Sequence, residues 1–188
     1  MVTLTVAAVI LGIAAPSMRS FILNNRIKAS TNEVLRSIQT ARSEATKRQQ
    51  NVVICFSNSP TPSSASCATS GYNGWIVFED TDKDLAHSNS EPLLEIHSFE
   101  SDKINIVADN GKKVSYDATG FRTVSSSNST AIVVCDSRGN VNANGGTTGT
   151  SVARGIVIAP TGRTRITSEI SNTTTTGITQ LAASTGSC

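Results

Sequence analysis

Apolar and polar positions divide this chain at about residue 50. The first fifteen residues, MVTLTVAAVILGIAA, are apolar and uncharged. Beyond them Ile27, Val34, Ile38, Ala41 and Ala45 recur at helical spacing, with Arg26, Lys28, Arg36, Arg42, Lys47 and Arg48 around them. Residues three and four apart share one helix face. The pattern therefore predicts one long helix over about residues 2–49, apolar all round in its first third and amphipathic beyond. Pro16 should kink it, because proline lacks the N–H and crowds the preceding turn. Fifteen residues fall short of the ~20 that span a bilayer. With no basic segment in front and no small-residue cleavage pattern behind, the stretch makes a poor secretory signal.

After Asn51 the period shortens to that of strands. Short β-branched runs stand at Val52–Ser57, Trp75–Glu79, Leu93–Phe99, Ile104–Val107, Lys113–Tyr116, Ala131–Cys135, Gly155–Ala159 and Arg163–Ile166. Clusters of Gly, Asn, Asp and Ser separate them. Strands without intervening helices predict an antiparallel meander in one sheet, not a doubly wound parallel one. One face of that sheet must be covered, and the amphipathic part of the helix is the available cover. The expected class is α+β: a long N-terminal helix (residues 1–50) packed on an antiparallel β-sheet domain (51–188). Ser125–Ser129 and Gly139–Ser151 read as low-complexity loops, and Ser168–Ser187 as a polar, mobile tail up to Cys188.

Composition narrows the class. Only 16% of the 188 residues are charged and 4% are aromatic, while Ser and Thr account for 49 and Asn for 14. Such hydroxyl- and amide-rich chains are common among exported β-rich proteins. The net charge of +2 is too small for a strongly basic nucleic-acid binder. That average conceals a gradient: residues 1–50 carry +5, residues 51–120 carry −6 with no arginine, and residues 121–188 carry +3 through Arg122, Arg138, Arg154, Arg163 and Arg165. An anion-binding role should sit on the helix or in the last third.

The four cysteines suggest two disulfides and an oxidising compartment. Three pairings are possible. Cys55–Cys67 with Cys135–Cys188 is the favoured one, closing a short loop and stapling the last residue to a strand. Gaps of 11, 67 and 52 residues between successive cysteines fit a zinc site poorly.

The start MVTLTVAAVILGIAAPSMRSF, with its proline, resembles the signal-anchor helix of type IV pilin-like proteins. The resemblance implies that a Gly-Phe-Thr-Leu-(Ile/Val)-Glu-Leu segment, with its cleavage glycine, methylated phenylalanine and buried glutamate, would precede Met1. The apolar stretch would then exceed 20 residues and span a membrane. Within that class, Ala41-Arg42-Ser43-Glu44-Ala45, Val52-Val53-Ile54-Cys55, Gly74-Trp75-Ile76-Val77-Phe78-Glu79-Asp80 with Asp84, Asp136-Ser137-Arg138-Gly139 and Gly162-Arg163-Thr164-Arg165 are similar to the GspH/FimT family of minor pilins and pseudopilins. The Gly-Trp-x-Val-Phe-x-Asp and C-terminal Gly-Arg-x-Arg patterns point to the FimT/FimU side. The resemblance implies a type IV pilin-like fold and a non-enzymatic subunit anchored in the bacterial inner membrane before assembly, with a periplasmic globular domain. Residues 1–20 would form its membrane and filament-core part and residues 21–50 its amphipathic part. It would then sit at or near a surface pilus tip, bound to other major and minor pilins through the N-terminal helix, and help to prime assembly. A GspH-type pseudopilin of a type II secretion system is the alternative. A secreted binding module without a filament role fits the apolar helix less well.

In FimT-type minor pilins of natural transformation the matching Gly-Arg-x-Arg contacts DNA. The resemblance therefore implies Arg163 and Arg165 as contacts with double-stranded DNA, Gly162 shaping the turn, and Arg154, Arg138 and Lys112 or Lys113 helping. Arginines at i and i+2 on a strand share a face and can fork onto successive phosphates. So few charges imply weak, sequence-independent, salt-sensitive binding. The plain alternative is an edge strand protected by charge.

Asp80, Asp82, Asp84 and Glu91 have the 1-3-5-12 acidic spacing of a calcium loop. Leu85 replaces the usual glycine at the sixth position, so a solvated turn is the expectation, with no metal and no cofactor. His87 and His97 are isolated, no nucleophile and base stand together, and no catalytic residue is expected. Trp75 and Phe78, three apart on a strand, should face opposite sides, Trp75 as a packing residue.

Overall fold

A computed structural model describes residues 2–99, 103–108, 113–123, 130–138 and 150–169, with the side chains of 2–17, 150, 151 and 169 left aside. Helix α1 runs Val2–Arg48 and is continuous through Pro16. Its stripe Ile27, Val34, Ile38, Ala41 and Ala45 is buried. The helix stops because Gln49 turns left-handed (φ 57°) and the Gln50 N–H donates back to the Ala45 carbonyl at 3.3 Å, which satisfies a carbonyl left open at the helix end. Lys47 and Arg48 in the last turn favour its negative pole. Among the described residues no helix is long and apolar enough to cross a membrane.

Eight strands follow: β1 Val52–Ser57, β2 Gly74–Glu79, β3 Leu93–Ser98, β4 Asn105–Ala108, β5 Lys113–Tyr116, β6 Thr130–Cys135, β7 Thr150–Ile158 and β8 Thr164–Glu169. They do not form one sheet. All pairings are antiparallel, but the strands divide into two four-stranded sheets, β3-β2-β1-β5 and β4-β6-β7-β8. The chain leaves the first sheet after β3, returns to add β5 beside β1, then leaves again. Strand periodicity marks which segments are extended; it does not choose their partners, and β1–β5 is a pairing across about sixty residues.

The helix stripe covers the inner face of both sheets. One continuous core joins it to Val52, Ile54 and Phe56 of β1, Trp75 and Val77 of β2, Val114 and Tyr116 of β5, Ile132 and Val134 of β6, and Ile156 and Ile158 of β7. Alternate residues point the other way. On the outer face of the first sheet Val53, Cys55, Ile76 and Phe78 gather with Ala65, Cys67, Leu85, Leu93 and Ile96. This second cover, a loop held by the Cys55–Cys67 disulfide, is additional to the helix that the sequence suggested as the only one. It explains why β1 is apolar at almost every position. Trp75 and Phe78 face opposite sides, as their spacing required.

Cys135 is disulfide-bonded as well; its expected partner Cys188 lies outside the described residues. So do Lys112, the loop 125–129, nearly all of the loop 139–151 and the tail beyond residue 169.

Candidate functional site

The Gly-Arg-x-Arg segment occupies the β7–β8 hairpin. The Gly162 N–H donates to the Ala159 carbonyl at 2.9 Å, and the Ala159 N–H donates to the Arg163 carbonyl at 2.8 Å. Pro160 suits the second position of such a turn, and Gly162, at φ 80°, supplies the left-handed residue that closes a three-residue hairpin loop. Arg163 consequently stands in the turn, and β8 begins at Thr164, one residue later than the sequence suggested.

The segment Asp117–Phe121 repeats this construction. Gly120 N–H donates to the Asp117 carbonyl at 2.9 Å, Asp117 N–H donates to Phe121 at 2.9 Å, and Gly120 has φ 77°. Burial works to raise the Asp117 pKa, but the Thr119 hydroxyl and the amides of Thr119, Phe121 and Gly120 outweigh it and hold the carboxyl below the usual range.

The two turns abut. A Cβ on Gly162 would lie 2.6 Å from the Gly120 carbonyl oxygen. From the helix, Arg42 reaches both: Nε donates to the Gly120 carbonyl at 2.9 Å, Nη1 to Gly162 at 3.4 Å and Nη2 to Thr161 at 3.3 Å. Arg122 adds a second tie, with Nη1 donating to the Ile158 carbonyl at 2.9 Å. Beside this clamp lies a cavity of about 400 Å³, lined by Arg42, Thr46, Tyr116, Gly162 and Thr164 among others. Burial pushes the Tyr116 phenol up to about 12, against the pull of the Arg42 and Arg122 charges.

Arg163 and Arg165 are exposed. The pairing of Arg165 with Val157 places it on the outer face of the second sheet, and Arg163 stands just ahead of the strand, its carbonyl accepting from the Ala159 N–H. Two residues apart, their Cα atoms are about 6.6 Å from one another. Among the described residues neither forms an ion pair. Arg154 pairs with Val134, so it belongs to the helix-facing side, away from Arg165. Its Nη1 donates to the Ala153 carbonyl at 2.9 Å. Arg138 is engaged elsewhere: Nη2 meets the buried Asp136 at 2.6 Å, Nε donates to both Asp136 oxygens at 3.0 Å, and Nη1 donates to Asn24 of the helix at 3.0 Å. Lys113 begins β5, opposite Cys55. The five named site residues therefore resolve into a turn glycine, an exposed pair and two arginines bound to the protein itself. Arg42 borders the apolar stripe and stands in the Ala41–Ala45 pattern, but nothing local marks it as part of this site; the shared Thr-Gly of the two turns is the other available signal.

The remaining candidates sit apart from this hairpin. His97 stacks on Trp75 with ring centroids 4.1 Å apart and lies 3.3 Å from Glu33. Trp75 Nε1 donates to the Ser37 hydroxyl at 2.9 Å, and Ser37 donates to Glu95 at 2.6 Å. Trp75 thus packs and ties sheet to helix. His87 Nδ1 is 2.9 Å from the Ala65 carbonyl, with its ring edge-on to Phe78. Among the described residues neither histidine meets a nucleophile. Asp80, Asp82 and Asp84 place carboxylate oxygens within 4.8 Å of one another. Asp80 is wholly buried. Burial raises its pKa and the neighbouring Glu91, Asp84 and Asp82 charges push the same way, opposed in part by the Leu85 amide.

Residues 30–162 match the family model of the type II transport protein GspH. Among solved structures, the chain is similar to the type IV minor pilin FimU of Pseudomonas aeruginosa, with TM-score 0.52 and 16% identity over 76% of this chain and 89% of FimU. A second crystal form of FimU gives 0.49 and 16%, over 74% and 91%. At that identity the likeness concerns the fold, a long helix on antiparallel sheets, which is the class the sequence indicated. No curated protein matches the chain.

Proposed function

This chain belongs to the GspH family, and from that premise we propose that it is a non-enzymatic minor pilin, built into a type IV pilus through its N-terminal helix. The observation that carries this reading is the helix surface beyond the core. Met18, Phe21 and Ile22 share one helix face and are 61%, 60% and 51% exposed. Large apolar side chains left in contact with water at helical spacing are surfaces for other helices. Burying them stabilises assembly at ~25 cal/mol per Å². In this reading the apolar segment before Pro16 holds the subunit in the bacterial inner membrane until assembly. The globular domain then stands in the periplasm and later on the cell-surface pilus, where the subunit helps to prime assembly. Co-purification of the tagged chain with its pilus partners tests the reading. Phe21→Glu should abolish it while the unfolding midpoint stays unchanged; unaltered co-purification would remove the role of this face.

DNA capture for natural transformation is the second part of the proposal. It is supported by Arg163 and Arg165, exposed on a hairpin that Arg42 holds from behind. They would grip phosphate and leave the bases unread. Titrating the full chain in neutral detergent with duplex DNA, at low and moderate salt, tests this. The wild type should bind weakly and lose affinity steeply with salt, and Arg163→Gln/Arg165→Gln should not bind. Equal binding by both, or by neither, leaves the structural role alone.

The family model's description favours one other reading, a minor pseudopilin of a type II secretion system. Deleting the gene separates the two: lost pili and DNA uptake support the pilus, whereas lost protein export with intact pili supports the secretion system.

A further inference from the structure

The loop between β2 and β3 holds an arrangement that the assembly and DNA readings leave unexplained. Asp80, Asp82 and Asp84 converge, each with a carboxylate oxygen within 4.8 Å of the others. Three like charges at that separation repel. Asp80 compounds the cost: it is wholly buried, neither Oδ makes a well-formed hydrogen bond, and the nearby Leu85 amide offsets the burial only in part. A buried carboxylate without a partner is strongly unfavourable. A divalent cation is the ligand that would relieve both features together, and Asp82 and Asp84, both exposed, leave it a way in.

The loop's order fits one cation better than others. The aspartates fall at positions 1, 3 and 5 of a calcium loop. The missing glycine at position 6 does not prevent the turn: Leu85 takes φ 62°, the left-handed conformation that glycine adopts readily. Its side chain packs against the buried cluster of Val53, Cys55, Ala65, Ile76 and Phe78 on the outer face of the first sheet, which offsets the strain of that backbone. Glu91, at position 12, is occupied otherwise. Its Oε1 accepts from the Thr81 N–H at 2.9 Å and its Oε2 from the Ser88 N–H at 2.9 Å. It closes the loop on itself and adds negative charge.

We propose that Asp80, Asp82 and Asp84 bind a calcium ion, with the seventh-position carbonyl, Ala86, and water completing its oxygen shell. The donors are all hard oxygens, which disfavours zinc and copper. Several direct protein oxygens from one short loop suit calcium's large, adaptable shell better than magnesium, which keeps most of its waters. With three carboxylates and no free twelfth-position glutamate, the affinity belongs with the weak extracellular modules, Kd about 10⁻⁴–10⁻³ M. The ion would pin the β2–β3 loop. Through His87 and the Ala65 carbonyl it would also steady the disulfide-held loop that covers the first sheet.

The full chain in neutral detergent, stripped with chelator, is titrated with calcium and separately with magnesium. Heat of binding and the thermal unfolding midpoint are followed. The wild type should bind calcium in the stated range and gain about 4–8 °C at ~30-fold excess over Kd. Asp82→Asn, on the exposed side, should weaken binding at least about tenfold. Asp80→Asn should lose the calcium response and, in chelator, unfold at a higher temperature than wild type, because a neutral amide is easier to bury. If Asp80→Asn does not fold, Asp82→Asn carries the test. No calcium response in the wild type, wild-type binding by Asp82→Asn, or equal affinity for magnesium would overturn the assignment.

Discussion

Arg42 Nε donates to the carbonyl of Gly120 at 2.9 Å, across 78 residues of sequence. The same guanidinium also meets the carbonyls of Thr161 and Gly162, so one helix side chain gathers two turns, one from each sheet. Charged donors to carbonyls are worth about 1.5–3 kcal/mol each when well formed, less where exposed. Arg42→Gln should therefore cost about 2 kcal/mol, a fall of about 4–8 °C in unfolding midpoint. Arg42→Lys should recover only part, since one ammonium cannot fork to three carbonyls. Thermal denaturation of the three proteins checks this, and a Lys variant as stable as wild type would show that charge alone suffices.

Glycines 162 and 71 give a matched comparison. Both have positive φ, 80° and 66°. A Cβ at Gly71 meets nothing within 4 Å, whereas one at Gly162 would press on the Gly120 carbonyl. Gly71→Ala should cost only the left-handed backbone penalty, about 1–2 kcal/mol. Gly162→Ala should cost clearly more, because the two turns must also separate. Urea unfolding of both variants measures the difference; equal losses would mean that the turns part without resistance.

Ser37 stands between a buried indole and a carboxylate. Ser37→Ala leaves the Trp75 Nε1–H without an acceptor and Glu95 without that donor. The expected loss is about 1–3 kcal/mol. Trp75→Phe in the same background should add less than it does alone, since the orphaned N–H is then gone. A double-mutant cycle read by chemical denaturation resolves the coupling.

Asp117 links stability to pH. Its folded pKa is lowered, so the stability it contributes is fully present above the ordinary aspartate range and is lost as pH falls through the lowered value. The midpoint difference between wild type and Asp117→Asn should therefore be largest near neutrality and shrink towards pH ~3. A difference that grew with acidity would contradict the hydrogen-bonding pattern.

Much of the architecture was legible along the chain because its causes are local. The stripe from Ile27 to Ala45 needs only helical geometry, and the helix end at Arg48 falls one residue from its expected place. Most strands stand within a residue or two of their β-branched runs. Cys55–Cys67 closes a short loop that the spacing already favoured. At the hairpin, Gly162 and the two exposed arginines could be named from sequence, but their surroundings could not. Nothing near residue 163 in the chain announces Arg42, and nothing near Arg138 announces Asn24.

Those gaps have one physical source. Sequence by itself determined where the backbone is helical, extended or turned, because periodicity, glycine and proline act within a few residues. Only the tertiary structure decided which strands pair, so that one expected sheet became two. It also decided which arginines are consumed by carbonyls and carboxylates, and which carboxylate is buried without a partner. The decisive contacts run far along the chain, as Arg42 meets Gly120 across 78 residues and Arg138 meets Asn24 across 114; they are set by what the packed core brings together, and no local pattern carries them.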